Sequence, residues 1–425
     1  MSLSRFGINS KIARLEGQVL TNPIYVLVLA STLVLLSALF VPFQAELADY
    51  LNDANYLAAG KLLPASHFTP VGYPLLLAPF VVMCGINGIV AFQSLVYVAT
   101  LWLAWRGLKS RNVGLVGKNE TAILVALAAI AFHPYMLLNT HRVTDNAIDV
   151  FFFVALAIWC DRYFLLDSYH RAVIMGALVG IFSALRPNAF TLLALPALGL
   201  AITREAANRP PGSLAQAAAR YSIFVGTAFI AFGALGFGGT GTPFFWPLTG
   251  PYNFFAGNNP QTLHYLIREF NGEPSIYPAL LARGVAPGID THTFDPKLYM
   301  SFAMEFIRSH PAYFVLLLFA KFVLFFAPKI VHGKNLVEAA LQMILALPFI
   351  IWIIAVRRNT SLFGWQRALC SIVFMLLYVL PFVVTNSDPR YRMPLDIWFI
   401  MDIAFMVQMA ARRRISRSPA AIDAR

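Results

Sequence analysis

The sequence predicts an all-α protein, a polytopic bundle of transmembrane helices. Three observations carry that expectation. The chain is 59% hydrophobic and only 12% charged, where a soluble domain carries roughly 25% charged residues. Its mean hydropathy is +0.67. Apolar runs near the ~20 residues that a helix needs to cross a bilayer recur along the chain, separated by short basic loops. The formal net charge of +12 could suit nucleic acid. Most of the Lys and Arg residues sit in those loops, however, which is the positive-inside pattern. Membrane lipids are therefore expected as partners and nucleic acid is not.

Residues 1–20 are polar and basic and lack the apolar core and cleavage site of a signal peptide. The first span, Pro23 to Pro42, should remain as an uncleaved anchor with Arg5, Lys11 and Arg14 on its cytoplasmic side. The next stretch, Gln44 to Phe80, organises the functional reading. Asp49 and Asp53 are four apart, so on a helix they share a face, with Tyr56 on the next turn. Tyr73 to Cys84 is short for a span and is expected to lie at the interface or insert partly. Asn87 to Trp105 is a full span, ending in Arg106, Lys109, Arg111 and Lys118.

Thr121 to Leu138 returns outward and delivers residues 139–146, NTHRVTDN, to the side of Asp53. Ala147 to Leu165 goes back. Ala172 to Ile202 reads as two short helices around an outer turn at Leu185-Arg186-Pro187-Asn188. Arg204, Arg209 and Arg220 mark the cytoplasm, and Tyr221 to Phe237 crosses outward. Gly238 to His310 is the longest polar segment, and a loop of that length is usually a lid or binding element. Later spans fall near Pro311 to Ala327, Leu336 to Val356, Ala368 to Thr385 and Leu395 to Ala410. The total is ten or eleven. For the tail at Arg412-Arg413-Arg414 to be cytoplasmic, one segment must not cross fully. Pro311 to Pro328, interrupted by Lys321, is the first suspect.

Cys84, Cys160 and Cys370 lie in apolar surroundings without metal-ligand spacing, so inert buried thiols are expected. Four clusters of ionisable residues reach the outer side: Asp49 and Asp53; His141, Arg142 and Asp145; Arg186; and Arg390 and Arg392. Such residues near a membrane are functional candidates by default. Carboxylates can take a proton from an incoming hydroxyl or amine, and arginines can hold a phosphate in a planar fork. Together they suit displacement of a phosphate leaving group by a carboxylate-activated acceptor. Plainer roles exist for each: an interfacial helix face for Asp49 and Asp53, an N-cap for Asp145, snorkelling for Arg186, and helix anchoring for Arg390 and Arg392. His141 reads as a local hydrogen-bonding residue. His67, His292 and His310 are too scattered to suggest a metal site.

The ordered set of motifs resembles the GT-C superfamily of integral membrane glycosyltransferases, in the group of the protein O-mannosyltransferases and the aminoarabinose transferase. Its acidic motif in the first outer loop is similar to Asn52-Asp53-Ala54-Asn55-Tyr56, and its Gly-Tyr-Pro-like run to Thr69 to Pro74. A second acid matches Thr144-Asp145, and an Arg-Pro turn matches Arg186-Pro187-Asn188. A Gly-Asn-Asn-Pro stretch matches Gly257 to Pro260, including Asn258 and Asn259. A late Arg-Tyr-Arg-x-Pro matches Arg390 to Pro394, including Tyr391. The resemblance covers most of the chain. It departs at Asn52, where the family carries an acid, which leaves Asp53 as the base and Asp49 as its competitor.

The resemblance implies a GT-C-like catalytic module over 1–240, including the first outer loop 44–72, then an outer lid over 241–310. Helices over 311–411 and a basic tail over 412–425 complete the chain. It implies a polyprenyl-phosphate sugar as donor, a glycan, lipid or protein as acceptor, and an active site on the periplasmic face of a bacterial inner membrane. Asp53, assisted by Asp145, would be the base, with Arg186, Arg390, Arg392 and Lys321 at the phosphate. Direct displacement would invert the anomeric centre. No cofactor is required. A divalent metal is compatible with the carboxylates, though no spacing demands one. A transporter or flippase of lipid-linked sugars is the competing reading, and it predicts inverted repeats that the sequence does not display. A non-catalytic scaffold would not require acids and arginines to converge.

Overall fold

The computed structural model describes residues 23–40, 48–110 except 65, 66 and 68, 120–141, 144–160, 164–203, 213–266 except 265, 296–326, 346–358, 365–385 and 389–416. Among these residues every regular element is a helix. In chain order they are α1 (Pro23–Phe40), α2 (Ala48–Ala58), α3 (Gly72–Ser110), α4 (Glu120–Ala131), α5 (Pro134–Asn139), α6 (Asn146–Cys160) and α7 (Tyr169–Leu185). A 3-10 helix (Pro187–Ala194) leads into α8 (Leu195–Ile202), α9 (Ser213–Thr240), α10 (Thr249–Gly257), α11 (Pro296–Ser309) and α12 (Pro311–Phe326). A helical stretch over 346–358 precedes α13 (Trp365–Val384) and α14 (Met393–Ser416).

Four of these helices are long and apolar enough to cross a membrane: Gly72–Ser110, Leu214–Thr240, Trp365–Val384 and Met393–Ala410. The pair α11 and α12, which meet at 108°, would make a fifth as one broken span. The chain is thus helical, with four to five helices that suit a membrane by length and composition. Helix α1 has 18 residues, and the apolar helices Thr121–Ala131, Asn146–Cys160, Tyr169–Leu185 and Pro187–Ile202 have at most 17. At 1.5 Å per residue they reach about 27 Å at best, short of the ~30 Å hydrocarbon core. Ten or eleven full spans therefore overcount the described helices. The apolar runs are there, but turns at His133-Pro134 and Arg186-Pro187 cut them into shorter pieces.

Helix α3 is a hairpin. Gly85 has φ 58° and ψ −142°, a conformation open mainly to glycine. On a straight helix Tyr73 and Gln93 would stand about 30 Å apart, yet the Gln93 amide donates to the Tyr73 hydroxyl at 2.8 Å. The Phe80 and Phe92 rings lie 4.5 Å apart. A Cβ on Gly88 would collide with the Phe80 carbonyl, so glycine lets the limbs meet. The short helix expected over Tyr73 to Cys84 is the first limb. Cys84, expected to be buried, is exposed near the tip of the bend, while Cys160 and Cys370 are buried.

Helices α7 and α9 pack side by side in the same direction. A Cβ on Gly176 would meet the Phe224 carbonyl and one on Gly180 the Ala228 carbonyl, so the four-residue glycine spacing permits backbone contact. The segment between them, the 3-10 helix and α8, runs back along the bundle. The core centres on Phe153 of α6, which stacks on Phe374 at 4.7 Å and meets Tyr378 at 4.5 Å, both from α13. Trp398 of α14 closes on Phe374 at 5.4 Å.

Candidate functional site

The site is built around Arg186. Pro187 disfavours helical backbone at the preceding residue, and Arg186 is accordingly extended at φ −134° and ψ 97°. This ends α7 and turns the guanidinium toward the start of α6. Its Nε donates to Asp149 Oδ2 at 2.5 Å. Its Nη2 donates to Asp145 Oδ1 and to Asn146 Oδ1, each at 2.8 Å. The Tyr391 ring lies 4.7 Å from the guanidinium carbon, in cation–π contact.

A second layer holds the carboxylates. The Tyr50 hydroxyl of α2 donates to Asp145 Oδ2 at 3.3 Å. Burial, and after it the Asp145 charge, push the Tyr50 phenol well above its ordinary value, so it stays a donor. Tyr50 meets Tyr73 edge-on at 5.1 Å, and Gln93, besides its bond to Tyr73, donates to the Thr144 carbonyl at 3.2 Å. The α3 hairpin thereby sets the position of the turn that presents Asp145. Tyr378 donates to the Tyr391 carbonyl at 3.1 Å and fixes the stacked ring.

Two carboxylates face one guanidinium, so the cluster carries a net negative charge when both are ionised. Asp149 Oδ1 is buried and Arg186 Nη1 is uncommitted, each without a hydrogen-bond partner among the described residues. The Arg186 side chain keeps 15% of its surface exposed. One edge of the fork is thus occupied by acids and the Nη1 end can still donate.

A neighbouring centre forms on α2. Asp53 Oδ2 lies 2.7 Å from His67 Nε2 and accepts from Thr69 Oγ1 at 2.9 Å, while Oδ1 has no partner among the described residues. The His67 carbonyl in turn accepts from the Leu248 amide at 3.2 Å, which ties this loop to the segment after α9. The inward face of α2 is Tyr50, Asp53 and Ala54, all buried. Asp49 and Tyr56 are exposed, and Lys61 sits 5.4 Å over the Tyr56 ring. Asp49, Asp53 and Tyr56 do share a face of α2, but that face lies at the edge of the packed side and only Asp53 is buried. The apolar ridge of Tyr50, Ala54 and Leu57 turns the helix so that only Asp53 of the two acids points in.

The remaining candidates lie elsewhere. His141 is buried, with Nδ1 2.8 Å from Thr140 Oγ1. Arg392 is buried against Asp396 at 3.1 Å and donates to the Phe326 carbonyl at 2.7 Å, an anchor beneath Tyr391. Lys321 donates to Asn258 Oδ1 at 3.2 Å and to the Thr385 carbonyl at 2.9 Å. Asn258 donates to the Val384 carbonyl at 2.8 Å, and Asn259 accepts from the Gln261 amide at 2.9 Å. Lys321 and Asn258 form a joint between the end of α10, α12 and the end of α13, while the bonds of Asn259 stay local to the turn after α10. Arg142, the Arg390 side chain, most of the expected lid and the basic tail beyond 416 lie outside the described residues.

The site thus unites Asp145, Arg186 and Tyr391, with Asp53 on the adjoining helix face. Sequence reasoning missed Tyr50, Asn146, Asp149 and His67. Asp149 was signalled by its four-residue spacing from Asp145 within an otherwise apolar helix. Among the described residues no three His, Cys, Asp or Glu side chains are grouped to hold a metal ion. Compared with known proteins, the chain matches no family model, no curated protein and no solved structure.

Proposed function

We propose that this protein is a membrane glycosyltransferase of the GT-C type. It would move a sugar from a polyprenyl-phosphate donor to an extracytoplasmic acceptor at the periplasmic face of a bacterial inner membrane. The observation that carries this reading is the division of labour around Arg186. The guanidinium is held rigidly along one edge by Asp145, Asn146 and Asp149, and its Nη1 remains able to donate to a phosphate oxygen. A planar fork fixed before the ligand arrives costs little to organise and stabilises the charge that grows on a leaving phosphate.

In this mechanism the acceptor oxygen attacks the anomeric carbon. The bond from that carbon to the phosphate oxygen breaks, and the phosphate leaves with the electron pair. Both oxygens of Asp145 are engaged, by Arg186 and Tyr50, so Asp145 acts by holding the fork. Asp53 has Oδ1 uncommitted and is the group that takes the acceptor proton. His67 and Thr69 on Oδ2 orient the carboxylate. A single displacement inverts the sugar configuration. Tyr391 lies over the guanidinium and helps set the orientation of its plane.

The test is transfer by the purified protein in nanodiscs, with a panel of polyprenyl-phosphate sugars and candidate glycan, lipid and peptide acceptors. Turnover of one donor that is lost in Asp53→Asn supports the reading. Donor translocation across the bilayer without cleavage would replace it with the flippase reading.

A further inference from the structure

At the end of the bundle opposite Arg186 lies a second place that carries chemistry. Helix α7 runs from Tyr169 to Leu185, so its two ends are separated by about 24 Å. Beside its beginning is a cavity of about 240 Å³, lined by aliphatic side chains that include Leu165, Pro196 and Leu200, and by Ala217, Asp167, Arg220 and Tyr221. A water occupies about 30 Å³ in the liquid, so the space is several times what one bridging water needs.

Arg220 is the cation of this cavity. Its Nη1 donates to the Leu166 carbonyl at 3.1 Å, and its guanidinium carbon lies 5.6 Å from the centre of the Tyr169 ring. Those two contacts fix the plane of the guanidinium. Its Nε is buried and has no hydrogen-bond partner among the described residues, and no carboxylate among them pairs with Arg220. Asp167, the acid on the cavity wall, is paired with Arg171 at 2.5 Å. Leaving a buried charged donor unsatisfied is costly, and the rest of the wall is mostly hydrocarbon. A ligand that suits both halves has an anionic phosphate head and an apolar body.

We propose that this cavity binds the phosphodiester head of an anionic membrane lipid, with the phosphate on Arg220 and the first part of the acyl region against Leu200 and Pro196. The surroundings fit a lipid source. Leu214 of α9, one turn before Ala217 on the cavity wall, is an exposed apolar residue, so a helix of the wall also carries surface suited to lipid. The site lies about one helix length from Arg186 and does not depend on the transferase reading.

The experiment uses the full chain in neutral phosphatidylcholine nanodiscs or in detergent. Phosphatidylglycerol, phosphatidylcholine and inorganic phosphate are titrated separately, with bound lipid read by native mass spectrometry and protection by thermal unfolding. Phosphatidylglycerol should bind saturably. Arg220→Gln should weaken it by about tenfold or more, since a hydrogen bond to a charged group is lost. Ala217→Leu narrows the cavity while keeping the guanidinium, and it should also release the lipid. That second variant carries the test if Arg220→Gln does not fold. Equal binding of phosphatidylcholine, or undiminished phosphatidylglycerol binding in both variants, overturns the site. Protection by inorganic phosphate at matching concentration, without saturable lipid binding, overturns the lipid and assigns the cavity to free phosphate.

Discussion

Arg186 Nε and Asp149 Oδ2 lie 2.5 Å apart, joining the end of one short apolar helix to the first turn of another. Asp145 shares the same guanidinium at 2.8 Å. The two acids sit one turn apart at the start of α6, and the one arginine between them offsets part of the repulsion of a pair inside a poorly solvated site. This makes Arg186 a structural keystone.

The first prediction is a ranking of stabilities. Arg186→Ala strands two buried carboxylates, and removing one partner of a buried ion pair typically costs about 3–5 kcal/mol. Asp149→Asn keeps the shape and leaves Arg186 paired with Asp145, so it should cost less. Thermal unfolding in detergent checks the order. An Arg186→Ala protein as stable as the parent would show that the two acids do not depend on the guanidinium.

The second prediction concerns the α3 hairpin. A Cβ at Gly85 has room, but its φ of 58° with ψ −142° is unfavourable for other residues. Gly85→Ala should therefore lower stability by about 1–3 kcal/mol through the backbone alone. Gly88→Ala should be damaging for a different reason, collision with the Phe80 carbonyl. Either change should loosen the Tyr73–Gln93 contact and with it the Asp145 turn. A cysteine pair placed at positions 73 and 93 in a cysteine-free background would report it. Cross-linking as efficient in Gly85→Ala as without it argues against the coupling.

Much of the fold was legible in sequence because the hydrophobic pattern sets where helices form. The Arg186-Pro187 turn followed from the proline rule. The pairing of partners was harder to read. Asp149 lies in an apolar run that reads as a span, and only its four-residue distance from Asp145 marks it. The same spacing at Asp49 and Asp53 placed them on one face of α2 but did not show that the apolar ridge of Tyr50 and Ala54 buries only Asp53. The break at Gly85 was legible as the gap between Tyr73 to Cys84 and Asn87 to Trp105, but hydropathy did not show that the two limbs fold against each other. Lys321 looked like a charge available to a ligand, but its acceptors come from segments about 63 residues away on either side, a pairing that no local pattern encodes.

That joint supplies the third prediction. Lys321 connects α12 to Asn258 and to the carbonyls at the end of α13, and a Cβ on Gly257 would strike the Thr385 carbonyl. Lys321→Met removes the donor and leaves the Thr385 carbonyl and Asn258 Oδ1 without this partner, costing about 1–3 kcal/mol. Because the chain continues from Thr385 toward Tyr391, donor affinity should weaken as well. Asn258→Leu should match Lys321→Met, and the double variant should cost less than the sum, since the two residues share one bond. Full additivity in thermal unfolding would separate them.

The last prediction distinguishes the carboxylates by role. Under the proposed transfer reaction, Asp53→Asn preserves shape and hydrogen bonding but removes the proton acceptor. General-base catalysis typically contributes about 10²- to 10⁴-fold, so turnover should fall by at least about a hundredfold while donor binding stays near normal. Asp49 is exposed one turn before Asp53 on α2, and Asp49→Asn should leave turnover within about twofold, because a solvated surface acid contributes little to a neighbouring site. Asp145→Asn should instead weaken donor binding along with turnover, since its carboxylate orients Arg186 and accepts from Tyr50. Tyr50→Phe should reproduce a milder form of the same defect. Single-turnover rates, measured beside donor affinity, separate the three patterns. A loss of turnover in Asp145→Asn with donor affinity intact, together with an active Asp53→Asn, would move the base from α2 to the start of α6 and leave Asp53 as the residue that positions His67 and its loop.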